Sequence, residues 1–219
     1  LCREGAAKDA ELAGAGGKGT RAGELADDAS TAGRGRALPV RSRAEEAEAA
    51  AKRAAQAGDS VGGVVECVAF GVPAGLGDAL FGGLESKIAA AVYAIPAVKG
   101  VEFGAGFGIA KMRGSESNDP FALKDGKVVT LTNRSGGING GISNGMPVTF
   151  RAAFRPTPSI SLAQRTVDLD KMCETEITVK GRHDATVVPR AVAAVEAAAA
   201  LALLDAVLVR EKELDRKLF

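Results

Sequence analysis

The chain has 219 residues, with 28 Lys and Arg against 27 Asp and Glu, one His, three Cys, no Trp and one Tyr. A formal net charge of +1 lacks the basic excess that phosphate neutralisation needs, which argues against nucleic acid as a bulk electrostatic partner. Ala (42) and Gly (28) dilute the area buried per residue, yet a hydrophobic fraction of 46% at this length still supports one domain with a sizeable core.

Cys2, Cys67 and Cys173 are an odd set with no CxxC and no Cys/His cluster, so neither a disulfide framework nor a metal site is expected. The N-terminus has no apolar run of the signal-peptide kind. The most apolar stretch, residues 187–209, is mostly Ala and carries Arg190, Glu196 and Asp205, a poor membrane span. A cytoplasmic protein with no membrane partner is the expectation. The first residue is Leu rather than Met, which suggests a fragment, a processed product or an incomplete reading frame.

In chain order, residues 1–39 mix Gly, Ala and charge without a period and read as a low-complexity, disordered segment. Residues 43–57 are good helix formers stopped by Gly58, although Ala is the only apolar side chain they offer for burial. Residues 61–72 are β-rich and read as a strand, with a loop over 73–77. Leu80, Leu84, Ile88, Ala91 and Ile95 recur at helical spacing and predict a helix over 78–94, ended by Pro96. A short strand is expected over 99–103, and a hairpin over 121–132 turning at Asp125-Gly126. Ile142 and Ser143 lead into an Asn144-Gly145 turn and an alternating strand over 147–154; residues 165–180 give another strand pair. Pro189 opens an Ala-rich helix to about Arg210, followed by a solvated tail over 211–217. The fold class is α+β, with antiparallel hairpins packed on helices; residues 40–219 form the folded part.

Three segments stand out chemically. In Gly136-Gly137-Ile138-Asn139-Gly140-Gly141-Ile142-Ser143-Asn144-Gly145, clustered glycines let backbone N–H groups approach a phosphate or flat ring, or else make a bulged hairpin. In Arg155-Pro156-Thr157-Pro158-Ser159-Ile160-Ser161, two prolines stiffen a strand exit beside hydroxyls and a guanidinium, suited to a phosphate or ring carbonyl, or simply rigid. In Gly181-Arg182-His183-Asp184, a cation precedes a helix start and would favour an anion, while Asp184 would serve equally as the helix cap. His183 is the only histidine, so no nucleophile–His–carboxylate triad exists without it. Glu174 and Glu176 share a strand face, more in keeping with a solvated surface than with a paired-carboxylate site.

The ordered string is more specific than its parts. Gly58-Asp59-Ser60-Val61-Gly62-Gly63-Val64-Val65-Glu66, Gly71-Val72-Pro73-Ala74-Gly75-Leu76-Gly77 and Ile95-Pro96-Ala97-Val98-Lys99-Gly100-Val101-Glu102-Phe103-Gly104, followed by the three segments above, resemble the chorismate synthase family in order and spacing over roughly residues 40–209, its C-terminal half. The resemblance implies a lyase that eliminates phosphate from 5-enolpyruvylshikimate 3-phosphate in an anti sense, giving chorismate in the last step of the shikimate pathway. It implies reduced FMN as cofactor, helices placed between antiparallel sheets, and a homotetramer. FMN contacts would fall on Pro96, Ala97, Gly140, Arg155, Pro156, Thr157, Pro158, Ser159 and Arg182, and Asp184 would match the family's functional aspartate. Three positions depart from the family pattern: Pro96 where some members have Asn, Arg155 where Lys is common, and Ala185 where Pro is frequent.

The family's N-terminal motifs (a Gly-Glu-Ser-His-Gly segment, the basic substrate clamp, a second catalytic His and an Arg-rich flavin segment) have no counterpart here. The resemblance therefore implies a chain that is inactive alone. The alternatives are one chain of a split enzyme, or a non-catalytic remnant that binds flavin or phosphate or oligomerises.

Overall fold

The computed structural model describes Cys2–Gly5 and residues 41–216; most of the segment read as disordered, residues 6–39, lies outside the described residues. In chain order the elements are β1 (Cys2–Gly5), α1 (Arg41–Gln56), β2 (Gly63–Ala69), α2 (Leu84–Tyr93), β3 (Val98–Phe103), a single turn α3 (Gly114–Ser117), β4 (Phe121–Lys124), β5 (Lys127–Thr130), β6 (Ile138–Asn139), β7 (Ile142–Ser143), β8 (Val148–Phe154), β9 (Gln164–Asp168), β10 (Cys173–Ile177) and α4 (Val188–Arg216). The predicted α+β class holds.

The main sheet runs β1-β2-β8-β3, antiparallel throughout. β8 reads Val-Thr-Phe-Arg-Ala-Ala-Phe, and its period-two pattern buries Val148, Phe150, Ala152 and Phe154 on one face. The other face carries Arg151, whose guanidinium lies 2.7 Å from the carboxylate of its cross-strand neighbour Glu102. Opposite the buried face lie Leu84, Ile88 and Val92 of α2 and Val188, Val192, Val195, Ala199, Ala202 and Ala206 of α4, in one continuous core. Lys87 joins the two helices through Asp205 at 3.0 Å. β1 places Cys2–Gly5, from the segment expected to be disordered, on the sheet edge with Cys2 opposite Cys67.

Two helix predictions need correction. The helix expected over 78–94 begins only at Leu84; before it lie a single 3-10 turn, Leu80–Gly82, and the extended Gly83. Leu80 is 83% exposed with φ 63, so it is not a core position despite its spacing. The cause is a close approach: Leu84 N–H donates to Gly141 O at 2.8 Å, and a Cβ on Gly77 would stand 2.3 Å from that same oxygen. At the other end of the chain, α4 continues through the expected tail to Arg216. Among the described residues, Val188–Lys212 is long and apolar enough to cross a membrane by length and composition, contrary to the sequence reading. One side of it is nonetheless core.

The hairpins follow their turn chemistry. β4 and β5 meet at Asp125-Gly126, both at positive φ (52 and 72), the expected two-residue turn. β6 and β7 turn at Gly140-Gly141 (φ 59 and 84), and the predicted Asn144-Gly145 turn follows β7, with Gly145 at φ 87 and Met146 N–H donating to Asn144 Oδ1 at 2.9 Å. The loop leading into β6 is clamped by Asp119. Its carboxylate accepts from the Thr132 hydroxyl and from the backbone N–H groups of Arg134 and Ser135, both at 2.8 Å. Burial disfavours the charged form, but these donors outweigh it and hold Asp119 below the ordinary aspartate pKa of 3.8. A depressed pKa in the folded state means stability that is complete above that value and lost as pH falls through the folded pKa.

Phe150→Ala is expected to cost ~3–5 kcal/mol of stability, read as a lower urea midpoint with an unchanged m-value. Asp119→Asn is expected to flatten the loss of stability on acidification below pH 3.8, measured by chemical denaturation across that range; an unaltered acid limb would show that the clamp contributes nothing.

Candidate active site at the Pro-rich end of the sheet

At the end of the sheet where β2 and β3 begin and β8 finishes, four segments converge. Arg155 N–H, just past β8, donates to Ala97 O at 2.9 Å. Ser60 donates its hydroxyl to Thr157 O at 2.6 Å, and Ser161 N–H donates to Gly58 O at 2.9 Å. Val61 N–H donates to Ala185 O at 2.8 Å, which ties the residue after Asp184 to the same cluster. Gly62 makes the packing possible: a Cβ there would lie 2.3 Å from Phe154 O and 3.1 Å from the Pro156 ring. Pro96 and Ala97 form the turn between α2 and β3, with Ala97 at φ 74, a left-handed conformation that favours Gly or Asn. A strained alanine held against a bonded strand exit is over-determined by its surroundings.

Within this cluster the polar groups are unevenly satisfied. Thr157 Oγ1 is buried with no hydrogen-bond partner, while its own carbonyl is taken by Ser60. Pro158 O accepts from the Gln164 amide at 3.2 Å. The Arg155 and Arg182 side chains are exposed. Asp184 lies 2.9 Å from the Arg190 guanidinium, one turn into α4, and does not cap the helix; Val188 N–H is met instead by the Thr186 hydroxyl at 3.3 Å. His183 Nε2 is 2.9 Å from Val179 O. Glu174 and Glu176 are exposed on β10.

Of the residues singled out from sequence, Pro96, Ala97 and the Arg155–Ser159 run are brought together, and the strap carrying Arg182 and Asp184 is tied to them through Ala185. Gly140 is not. It sits at the open tip of the β6–β7 hairpin, beside Gly141, whose carbonyl accepts from Leu84 N–H at the start of α2, at the opposite end of β8. Seven residues of strand at ~3.3 Å each put about 20 Å between the two ends. Sequence reasoning gave no role to Ser60, which fixes the Thr157 carbonyl, or to Asp119, which shapes the Gly-rich loop. The Asn118-Asp119-Pro120 turn signal and the polar run Thr132-Asn133-Arg134-Ser135 were the available cues.

The cluster can do two things chemically. Two exposed guanidiniums suit an anion, and an orphaned buried hydroxyl suits a ring carbonyl or phosphate oxygen that approaches it. Both fit a flavin mononucleotide, whose polar edge and phosphate need such groups.

The family model described as chorismate synthase matches residues 22–208, beginning inside the segment that the sequence reading left outside the resemblance. The chorismate synthase of Archaeoglobus fulgidus is 63% identical over 153 residues, covering 70% of this chain and 42% of the relative. That of Thermococcus kodakarensis is 57% identical over 159 residues, covering 73% and 45%. A crystal structure of chorismate synthase superposes with a TM-score of 0.61 at 33% identity, covering 76% of this chain and 43% of the other. The chain thus spans less than half the length of the relatives it matches, and it belongs to the chorismate synthase family.

Proposed function

We propose that this chain supplies the C-terminal part of a chorismate synthase active site, acting on 5-enolpyruvylshikimate 3-phosphate with reduced FMN. The observation that carries the reading is the buried, unpartnered Thr157 hydroxyl set beside Arg155 at a rigid strand exit. Arg155, Thr157 and Ser159 would hold the polar edge of the flavin, Pro96 and Ala97 would bound its ring, and Arg182 would meet an anionic group. Bound reduced flavin would supply an electron to the substrate and help to take up its proton. Asp184, oriented by the Arg190 guanidinium 2.9 Å away, would stand ready to accept a proton from the flavin edge. A phosphorylated small-molecule substrate, a homo-oligomer and a cytoplasmic setting complete the reading; the exposed Cys173 thiol suits a reducing compartment.

His183 is the only histidine of the chain, so the chain alone is expected to lack catalytic turnover. A second reading, a flavin- or phosphate-binding module without catalysis of its own, is favoured by the position of Gly140, a strand length from the other expected FMN contacts.

Titration with oxidised and reduced FMN tests the flavin reading. Binding is expected, and Arg182→Ala should weaken it about tenfold or more, the loss of a charge-assisted contact worth ~1.5–3 kcal/mol. Absence of binding by either flavin form would overturn the reading. In the same assay with anaerobic 5-enolpyruvylshikimate 3-phosphate, the chain alone should form no chorismate, whereas turnover would overturn the claim of incompleteness.

A further inference from the structure

Residues 58–62 run between the two segments proposed above to meet the flavin. Residues 155–161 lie on one side. There Ser161 N–H donates to Gly58 O at 2.9 Å, and the Ser60 hydroxyl donates to Thr157 O at 2.6 Å. The Pro156 ring lies against Gly62, 3.1 Å from where a Cβ would stand. On the other side Val61 N–H donates to Ala185 O at 2.8 Å, next to Asp184. Consecutive residues thus hold one segment by a side chain and the other by the backbone.

The Ser60 contact acts where the chain has few other handles. Thr157 stands between Pro156 and Pro158. Proline has no N–H, so the peptide joining Thr157 to Pro158 has its carbonyl as its only hydrogen-bonding group. Pro158 confines Thr157 to an extended ψ, and the branched Cβ of threonine narrows its χ1. With the carbonyl taken by Ser60, few settings of the Thr157 side chain remain, and the one kept leaves the buried Oγ1 without a partner. Gln164 reaches the next carbonyl, Pro158 O, but through an exposed amide and at 3.2 Å. The Ser60 contact is shorter and half-buried.

We infer that Ser60 is a positioning residue of the flavin site. Its hydroxyl fixes the Thr157 peptide so that Thr157 Oγ1 stays open to the ligand, while the neighbouring Val61 N–H holds the Asp184 strap to the same point. A serine hydroxyl has one proton, and this one is spent on the Thr157 carbonyl, so Ser60 acts through Thr157 rather than by donating to the ligand. The inference rests on the flavin reading proposed above. It differs from a plain loop staple in one respect: a staple changes the stability of the chain, whereas a positioning residue changes the affinity of chain that is already folded.

Flavin titration of the whole chain separates the two. Ser60→Ala, with the far-UV circular dichroism spectrum of the wild type, should weaken FMN binding about fivefold to tenfold, the loss of one neutral hydrogen bond. It should also move the visible absorption bands of bound oxidised FMN toward those of free flavin. Ser60→Thr keeps the hydroxyl and should bind FMN as the wild type does. Ser60→Cys offers only a weak donor, should behave as Ser60→Ala does, and is the variant to read if Ser60→Ala does not fold. Since the effect passes through Thr157, the losses should not add: in a Thr157→Val background, Ser60→Ala should change the affinity by less than about twofold. Wild-type affinity in the folded Ser60→Ala chain would overturn the inference and leave the flavin reading intact. So would a full-sized loss from Ser60→Ala in the Thr157→Val background, which would make Ser60 a staple of the loop alone. Wild-type chain that binds neither oxidised nor reduced FMN would overturn the flavin reading, and this inference with it.

Discussion

The whole arrangement depends on β8. It pairs with both β2 and β3, and its alternate side chains Val148, Phe150, Ala152 and Phe154 share one core with α2 and α4. Fixing this strand fixes three things at once: the pairing of both neighbours, the depth of the helical layer, and the positions of two loop systems that leave from its ends. Its buried face makes register costly to change, because a slip of one residue would turn Arg151 and Thr149 inward.

Each end of β8 carries a segment in which backbone, rather than side chain, sets the geometry. At its start the glycines allow chain-to-chain approaches that a Cβ would forbid: Gly141 against Asp78, Gly137 against Pro147, Gly136 against Thr149. At its finish prolines and the Gly62 contact do the same by stiffening. A buried polar atom is left without a partner at each end, Asn133 Oδ1 and Thr157 Oγ1. Such atoms are expensive to leave unmet.

Much of this was legible in the sequence, for reasons that differ by element. β8 declared itself through period two, and the β4–β5 turn through Asp125-Gly126, because both signals are local. The start of α2 was misread because helical spacing at Leu80 says nothing of the Gly77–Gly141 approach, a contact between distant parts of the chain. Asp184 was readable equally as cap or free carboxylate; only the fold shows that Thr186 takes the cap and Arg190 takes the carboxylate. The chemistry of the Pro-rich and Gly-rich segments was visible residue by residue, but that they leave opposite ends of one strand is a property of topology.

That topology has a kinetic side. Gly63 pairs with Phe154 and Val98 with the same residue, so the central sheet cannot form until long stretches of chain have been closed into loops. The β4–β5 and β9–β10 hairpins, by contrast, are contacts between near neighbours in sequence, and hairpins of this type close in about 1–10 μs. Phe121, Leu123 and Val167 on these hairpins stay exposed in the folded chain. The Asp125-Gly126 turn sets the register of β4 and β5 from within the hairpin, so that pairing needs nothing from the slower central sheet.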